Sequence, residues 1–80
     1  MRIVTRDERV LEGTPLQIVQ AMKGMAFGVE GFTMRQYIEW VVANAERFEG
    51  VVLKVEGGTD EELVASLVAE MIRTGLARRG

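Results

Sequence analysis

The sequence predicts an α+β domain: a small three-stranded sheet, built from an N-terminal hairpin and one later strand, packed with three helices in the order β-β-α-α-β-α. Two observations carry this. The first is a helix-start signal that occurs three times, as Thr14-Pro15-Leu16-Gln17, Thr33-Met34-Arg35-Gln36 and Thr59-Asp60-Glu61-Glu62. In each, the threonine hydroxyl can accept from an otherwise unpaired backbone N–H. The glutamine or glutamate three residues on can reach back to the threonine's own N–H, which closes a capping box. The second is two short β-prone stretches at the N-terminus together with period-two alternation in Val51–Glu56.

The chain opens with two short β-prone stretches, Arg2–Arg6 and Arg9–Glu12, on either side of Asp7-Glu8, and these read as a hairpin. No glycine occupies the turn, so a connection of three or four residues is expected. Gly13 leads into the first helix, where Pro15 falls at the first helical position and its missing N–H costs nothing. Ile18, Val19, Met22, Met25 and Ala26 form its apolar face. Gly28-Val29-Glu30-Gly31 ends it, and Phe27 and Phe32 are expected to pin this link to the core. The second helix, about Thr33 to Phe48, carries Met34, Tyr37, Ile38, Val41, Val42, Ala45 and Phe48 in one stripe and stops at Gly50. Val51–Glu56 alternates as a strand, with Val51, Leu53 and Val55 facing one way and Lys54 and Glu56 the other. Gly57-Gly58 breaks it. The third helix is read from Thr59 to about Ala77, with acids in its first turn and Arg73 and Arg78 at its end, in keeping with the helix dipole.

Eighty residues make a single domain, 1–80. A chain of this size hides only about 60–65 % of its unfolded surface, so its core is marginal. There is no cysteine, which removes disulfide support and suits a reducing cytoplasm. The opening residues lack the apolar core of a signal peptide, and no run is long enough to span a bilayer. Net charge is −2, so nothing draws the chain generally to phosphate backbones or anionic lipid. Yet 48 % of residues are hydrophobic, which is high for so small a domain. Some of that apolar surface is expected to need a partner.

Chemistry is hard to place. The chain has no histidine, and its one serine, Ser66, sits in mid-helix, so no hydrolase triad can be assembled. Asp60, Glu61 and Glu62 cluster at a helix start, where dipole and solvent favour their charged forms. They read as capping acids rather than an acid–base pair or a metal site, and they lack the alternation of a calcium loop. The glycines from Gly24 to Gly31 follow a helix rather than a strand, and Gly57-Gly58 is followed by acids that would repel phosphate, so neither is a phosphate loop. No cofactor and no enzymatic activity are expected. At helical spacing the methionines Met22, Met25, Met34 and Met71 read as gap-filling core.

Two features point outward. On a wheel of roughly 100° per residue, Leu63, Val64, Ala65, Leu67, Val68, Met71, Ile72, Gly75 and Leu76 cover an arc of roughly 220°, about twice what a surface helix needs. Either the helix is sandwiched between other elements, or Ala65, Val68, Ile72 and Leu76 form a second, outward seam. Trp40 lies off the stripe of the second helix beside Gln36, Asn44 and Arg47, and tryptophan is enriched at interface hot spots. These residues predict a protein–protein interaction module that pairs with itself as a homodimer, or docks on another protein, through the C-terminal helix and Trp40. The competing reading is a small nucleic-acid-binding regulator using Arg2, Arg6 and Arg9 on the hairpin. Asp7, Glu8 and Glu12 interleave those arginines, a pattern equally suited to protecting a sheet edge.

The run Val10-Leu11-Glu12-Gly13-Thr14-Pro15-Leu16-Gln17-Ile18-Val19-Gln20-Ala21-Met22 resembles the opening of certain small bacterial and phage-type proteins. In these a short hairpin passes through Gly-Thr-Pro into a first helix, and Tyr37-Ile38-Glu39-Trp40-Val41 is similar in flavour to their second helix. The resemblance covers about half the chain and implies no activity and no functional residue.

Overall fold

A computed structural model describes all residues, Met1–Gly80. The expected hairpin is present as β1 (Arg2–Thr5) and β2 (Val10–Glu12), antiparallel with Ile3 opposite Leu11 and Val4 opposite Val10. Its turn is made without glycine. Glu8 adopts φ 66°, the Thr5 hydroxyl donates to the Asp7 carboxylate, and Glu8 N–H donates to Thr5 C=O at 3.0 Å. Helices α1 (Pro15–Met25), α2 (Met34–Asn44) and α3 (Asp60–Thr74) follow, and a closed capping box starts each of them. At α1 the Thr14 N–H donates to Gln17 Oε1 at 2.9 Å while the Gln17 N–H donates to Thr14 Oγ1 at 3.2 Å.

The sheet has three strands, but its third is not Val51–Glu56. Gly75 takes up the left-handed conformation, φ 81°, and ends α3 at Thr74, short of the expected Ala77. The chain then turns back, and Ala77–Arg79 forms β3, pairing antiparallel with β1 to give the order β2-β1-β3. The element order is therefore β-β-α-α-α-β. Leu76 lies beyond the helix, so a wheel drawn through it overstated the helical apolar arc.

Val51–Glu56 is extended but pairs with no strand. It lies along α3, where side chains take the place of a neighbouring strand's edge. Lys54 N–H donates to Glu70 Oε1 at 2.7 Å, Glu56 N–H donates to Ser66 Oγ at 2.9 Å, and Arg73 Nη2 donates to Val52 C=O at 3.4 Å. Ser66, Glu70 and Arg73 stand four and three residues apart and so share one helical face. This polar side of α3 is thus covered by the chain itself.

The core forms where α3 crosses the other elements. It packs against α1, α2 and β3, and Leu63, Val64, Leu67, Val68 and Met71 are buried with Ile3, Ile18, Val19, Ile38 and Leu53. Two aromatic expectations are corrected. Phe27 is 94 % exposed, and Val29, buried, pins the α1–α2 link instead, together with Phe32, which packs half-buried against the core as expected. Met25 is exposed as well, and its sulfur accepts from Arg9 Nη1 at 2.9 Å. Phe48 leaves the α2 stripe because a single π-helical turn, Ala45–Glu49, follows the helix and closes on left-handed Gly50. The wider i→i+5 turn rotates each residue less than an α-turn would, so Phe48 swings away from the face of Val41 and Ala45.

Candidate interaction groove

The hairpin turn, α2, the π-turn and Leu76, in the turn that leads into β3, surround an open groove of about 690 Å³. Trp40 and Leu76, both singled out from the sequence, meet there with Tyr37, Met22, Val41, Ala45 and Met71. Trp40 is 38 % exposed and stacks on buried Tyr37, ring centroids 5.8 Å apart and planes 25° from parallel. That offset geometry seats the indole against the Tyr37 ring at the groove's edge while leaving it partly open to solvent. Phe48, 70 % exposed, rises beside it with the Arg47 guanidinium 5.3 Å from its ring centre. Nothing in the spacing of the second helix signals Phe48, because a stripe read at constant rotation places it inside.

One end of the groove is tied shut by Arg6. Its Nη1 contacts Glu49 Oε2 at 3.0 Å, its Nε donates to Gly75 C=O at 3.1 Å, and its backbone N–H donates to Leu76 C=O at 3.2 Å. The hairpin, the π-turn and the Gly75–Leu76 turn ahead of β3 are fastened together at this one residue.

The remaining expected interface residues do not gather here. Val68 is 1 % exposed: α3 is sandwiched by α1, α2 and β3, so this position is core and the outward seam is broken. Ala65 is exposed on α3, away from the groove, and half-buried Ile72 lines a separate hollow beside Val4 and Arg78. The hairpin arginines also diverge. Arg2 faces Glu12 at 3.6 Å, Arg6 is held by Glu49, and Arg9 binds Asp7 at 3.0 Å. Each has a carboxylate partner, so the three present no shared row of unmatched positive charge.

Tyr37 and Asp7 in the groove are both shifted away from neutrality. Burial pushes the Tyr37 phenol up to about 12. Hydrogen bonds from Thr5 and then Arg9 hold the Asp7 carboxyl below its ordinary value. General acid–base chemistry needs the opposite displacement, toward the working pH. No three of the chain's carboxylates converge as a metal site, and no helix is long and apolar enough to cross a membrane.

The fold and the groove together define a small α+β domain with a solvent-open aromatic cleft. The chain matches no protein-family model, no curated protein and no solved structure.

Proposed function

We propose that this chain is a non-enzymatic protein-interaction module that pairs with a second copy of itself through the Trp40–Phe48 groove. The observation that carries this reading is the exposed Phe48 ring standing beside an apolar groove on one face. A two-fold interface needs a patch complementary to itself. A ring beside a hollow meets that need, since each copy's Phe48 can enter the other's groove. The rim supports it too: Arg6, Asp7, Arg47 and Glu49 carry both signs, so neither copy repels the other. A standard interface covers about 800 Å² per partner. That is roughly a sixth of the 4953 Å² surface, so the whole rim, with Met22, Val41 and Leu76, must take part. The cysteine-free composition fits a reducing cytoplasm as the place where this happens.

Trp40 is the only tryptophan, so its fluorescence reports on the groove alone. Sedimentation equilibrium from low to high micromolar protein should show the mass rising toward a dimer while Trp40 emission moves to shorter wavelength. Phe48→Asp should stay monomeric with an unchanged far-ultraviolet circular dichroism spectrum, because the ring it removes lies mostly in solvent. A wild-type chain that remains strictly monomeric at high micromolar concentration overturns the reading.

A further inference from the structure

We infer that the outer edge of Val51–Glu56 accepts an added β-strand, and that its occupant is an extended peptide with lysine or arginine at alternate positions. Successive backbone groups of an extended chain point to opposite edges. Lys54 and Glu56 direct their N–H groups to α3, so Leu53 and Val55 direct theirs to the opposite edge, away from α3. Neither Leu53 nor Val55 makes any backbone hydrogen bond within the chain. Leu53 is only 3 % exposed, and buried backbone groups are paired in the great majority of cases. Its unpaired N–H and C=O mark an edge built to receive a partner.

There is space along that edge. A slot of about 420 Å³ runs between the segment and α2, floored by Ile38, Val42 and Leu63. The segment has the Val-Val-Leu-Lys-Val composition of a strand and carries no proline to block pairing. An added strand would supply main-chain hydrogen bonds for affinity, with alternate side chains entering the slot for selectivity.

Charge selects the peptide. Glu39 on α2 and Glu46 in the π-turn that continues it stand on this wall of the slot, and neither is in an ion pair. The one cation there, Arg35, is directed to Gly58 C=O at 3.5 Å. The two glutamates are about two helical turns apart, about 10 Å. Cationic side chains on alternate residues of a strand are about 7 Å apart, and their flexible stems cover the difference. This site lies apart from the Trp40 groove and does not depend on self-pairing.

The test uses a capped hexapeptide alternating valine and lysine, its valine–glutamate counterpart, and two N-methylated forms of the lysine peptide in which opposite sets of alternate amides are blocked. NMR titration of the full chain should shift the Leu53 and Val55 amides and slow their hydrogen exchange at least about tenfold, as burial in a ladder does. One N-methylated form should bind and the other should not. Glu39→Gln with Glu46→Gln, both exposed positions, should weaken binding roughly three- to tenfold. Phe48→Asp should bind the peptide as the wild type does, which separates this site from the dimer groove. Absence of shifts at millimolar lysine peptide, equal binding of the glutamate peptide, or indifference to which amides are methylated would each overturn the proposal. So would a Leu53 amide already protected in the free protein.

Discussion

Gly57 and Gly58 are adjacent, chemically identical and expected to respond in opposite ways to the same substitution. Gly57 has φ 152°, a region that residues with a side chain avoid. An alanine there would place its Cβ 2.7 Å from Glu62 Cβ, 2.9 Å from Leu63 N and 3.0 Å from Glu62 C. Two of those three atoms are backbone of the first turn of α3. That turn cannot retreat without opening the Thr59 capping box, in which Glu62 Oε1 accepts from the N–H groups of Gly58 and Thr59, each at 3.1 Å. Backbone strain of about 1–3 kcal/mol and overpacking of about 1–3 kcal/mol act together. The stiffer unfolded chain offsets about 0.4–1 kcal/mol, leaving a net loss of about 1–6 kcal/mol, centred on about 3 kcal/mol. A domain of this size has a total stability of only about 4–12 kcal/mol. At about 4–8 °C per kcal/mol, the central loss of about 3 kcal/mol should lower the melting temperature of Gly57→Ala by about 10–25 °C. At Gly58 the nearest atom to an added Cβ is Glu62 Oε1 at 3.7 Å, an ordinary contact, and φ lies outside the strained range. Gly58→Ala should therefore stay within about 0.5 kcal/mol of the wild type or rise slightly. Thermal and urea unfolding followed by circular dichroism measure both. A Gly57→Ala protein as stable as the wild type, or a Gly58→Ala protein equally damaged, would refute the reasoning.

Two further expectations concern α3. Leu67 is fully buried where the helix crosses the core, so Leu67→Ala should cost about 2–5 kcal/mol by urea unfolding; a loss under 1 kcal/mol would mean that this crossing is loosely packed. Glu70 has its carboxyl held down to about 2 from 4.5, first by the Arg73 guanidinium and then by the Lys54 N–H. Its contribution to stability is therefore fully present above about pH 4.5, and it is lost as the pH falls toward 2, because there the unfolded chain binds the proton first. Melting temperatures measured across that window should fall with acid, and Glu70→Gln should flatten part of the slope. Asp7, Glu8 and Glu62, whose carboxyls are also held low, should keep the rest. An unaltered slope in Glu70→Gln would show that the latch between Lys54 and α3 does not form in solution.

Features set by neighbours in sequence were legible from the sequence. Each helix begins at its capping threonine, and the hairpin sits where two short β-prone stretches flank Asp7-Glu8, because these signals act over three or four residues. Features that depend on distant partners were not legible. Val51–Glu56 has the alternation of a strand, and Leu53 is buried as that pattern requires, but hydrogen bonding to Ser66 and Glu70 leaves no trace in periodicity. Ala77–Arg79 is three residues long with two arginines, too short and too charged to read as a strand until Gly75 is seen to reverse the chain. In the site, Trp40 was recognisable because it breaks the stripe of its helix. Phe48 was hidden because it obeys the stripe, and only the π-turn takes it out. Val68 was misplaced because the number of elements packed around a helix cannot be read from its own wheel.

The central position of β1 has a consequence for the order in which the molecule assembles. Its first neighbour, β2, is a hairpin away, but its second arrives only after all three helices, with Arg78 closing on Glu8 across 70 residues at 2.9 Å. During synthesis, the hairpin and helices emerge from the ribosome with one flank of β1 bare. Until the last strand docks, that flank is where a nascent chain is most open to pairing with the wrong neighbour.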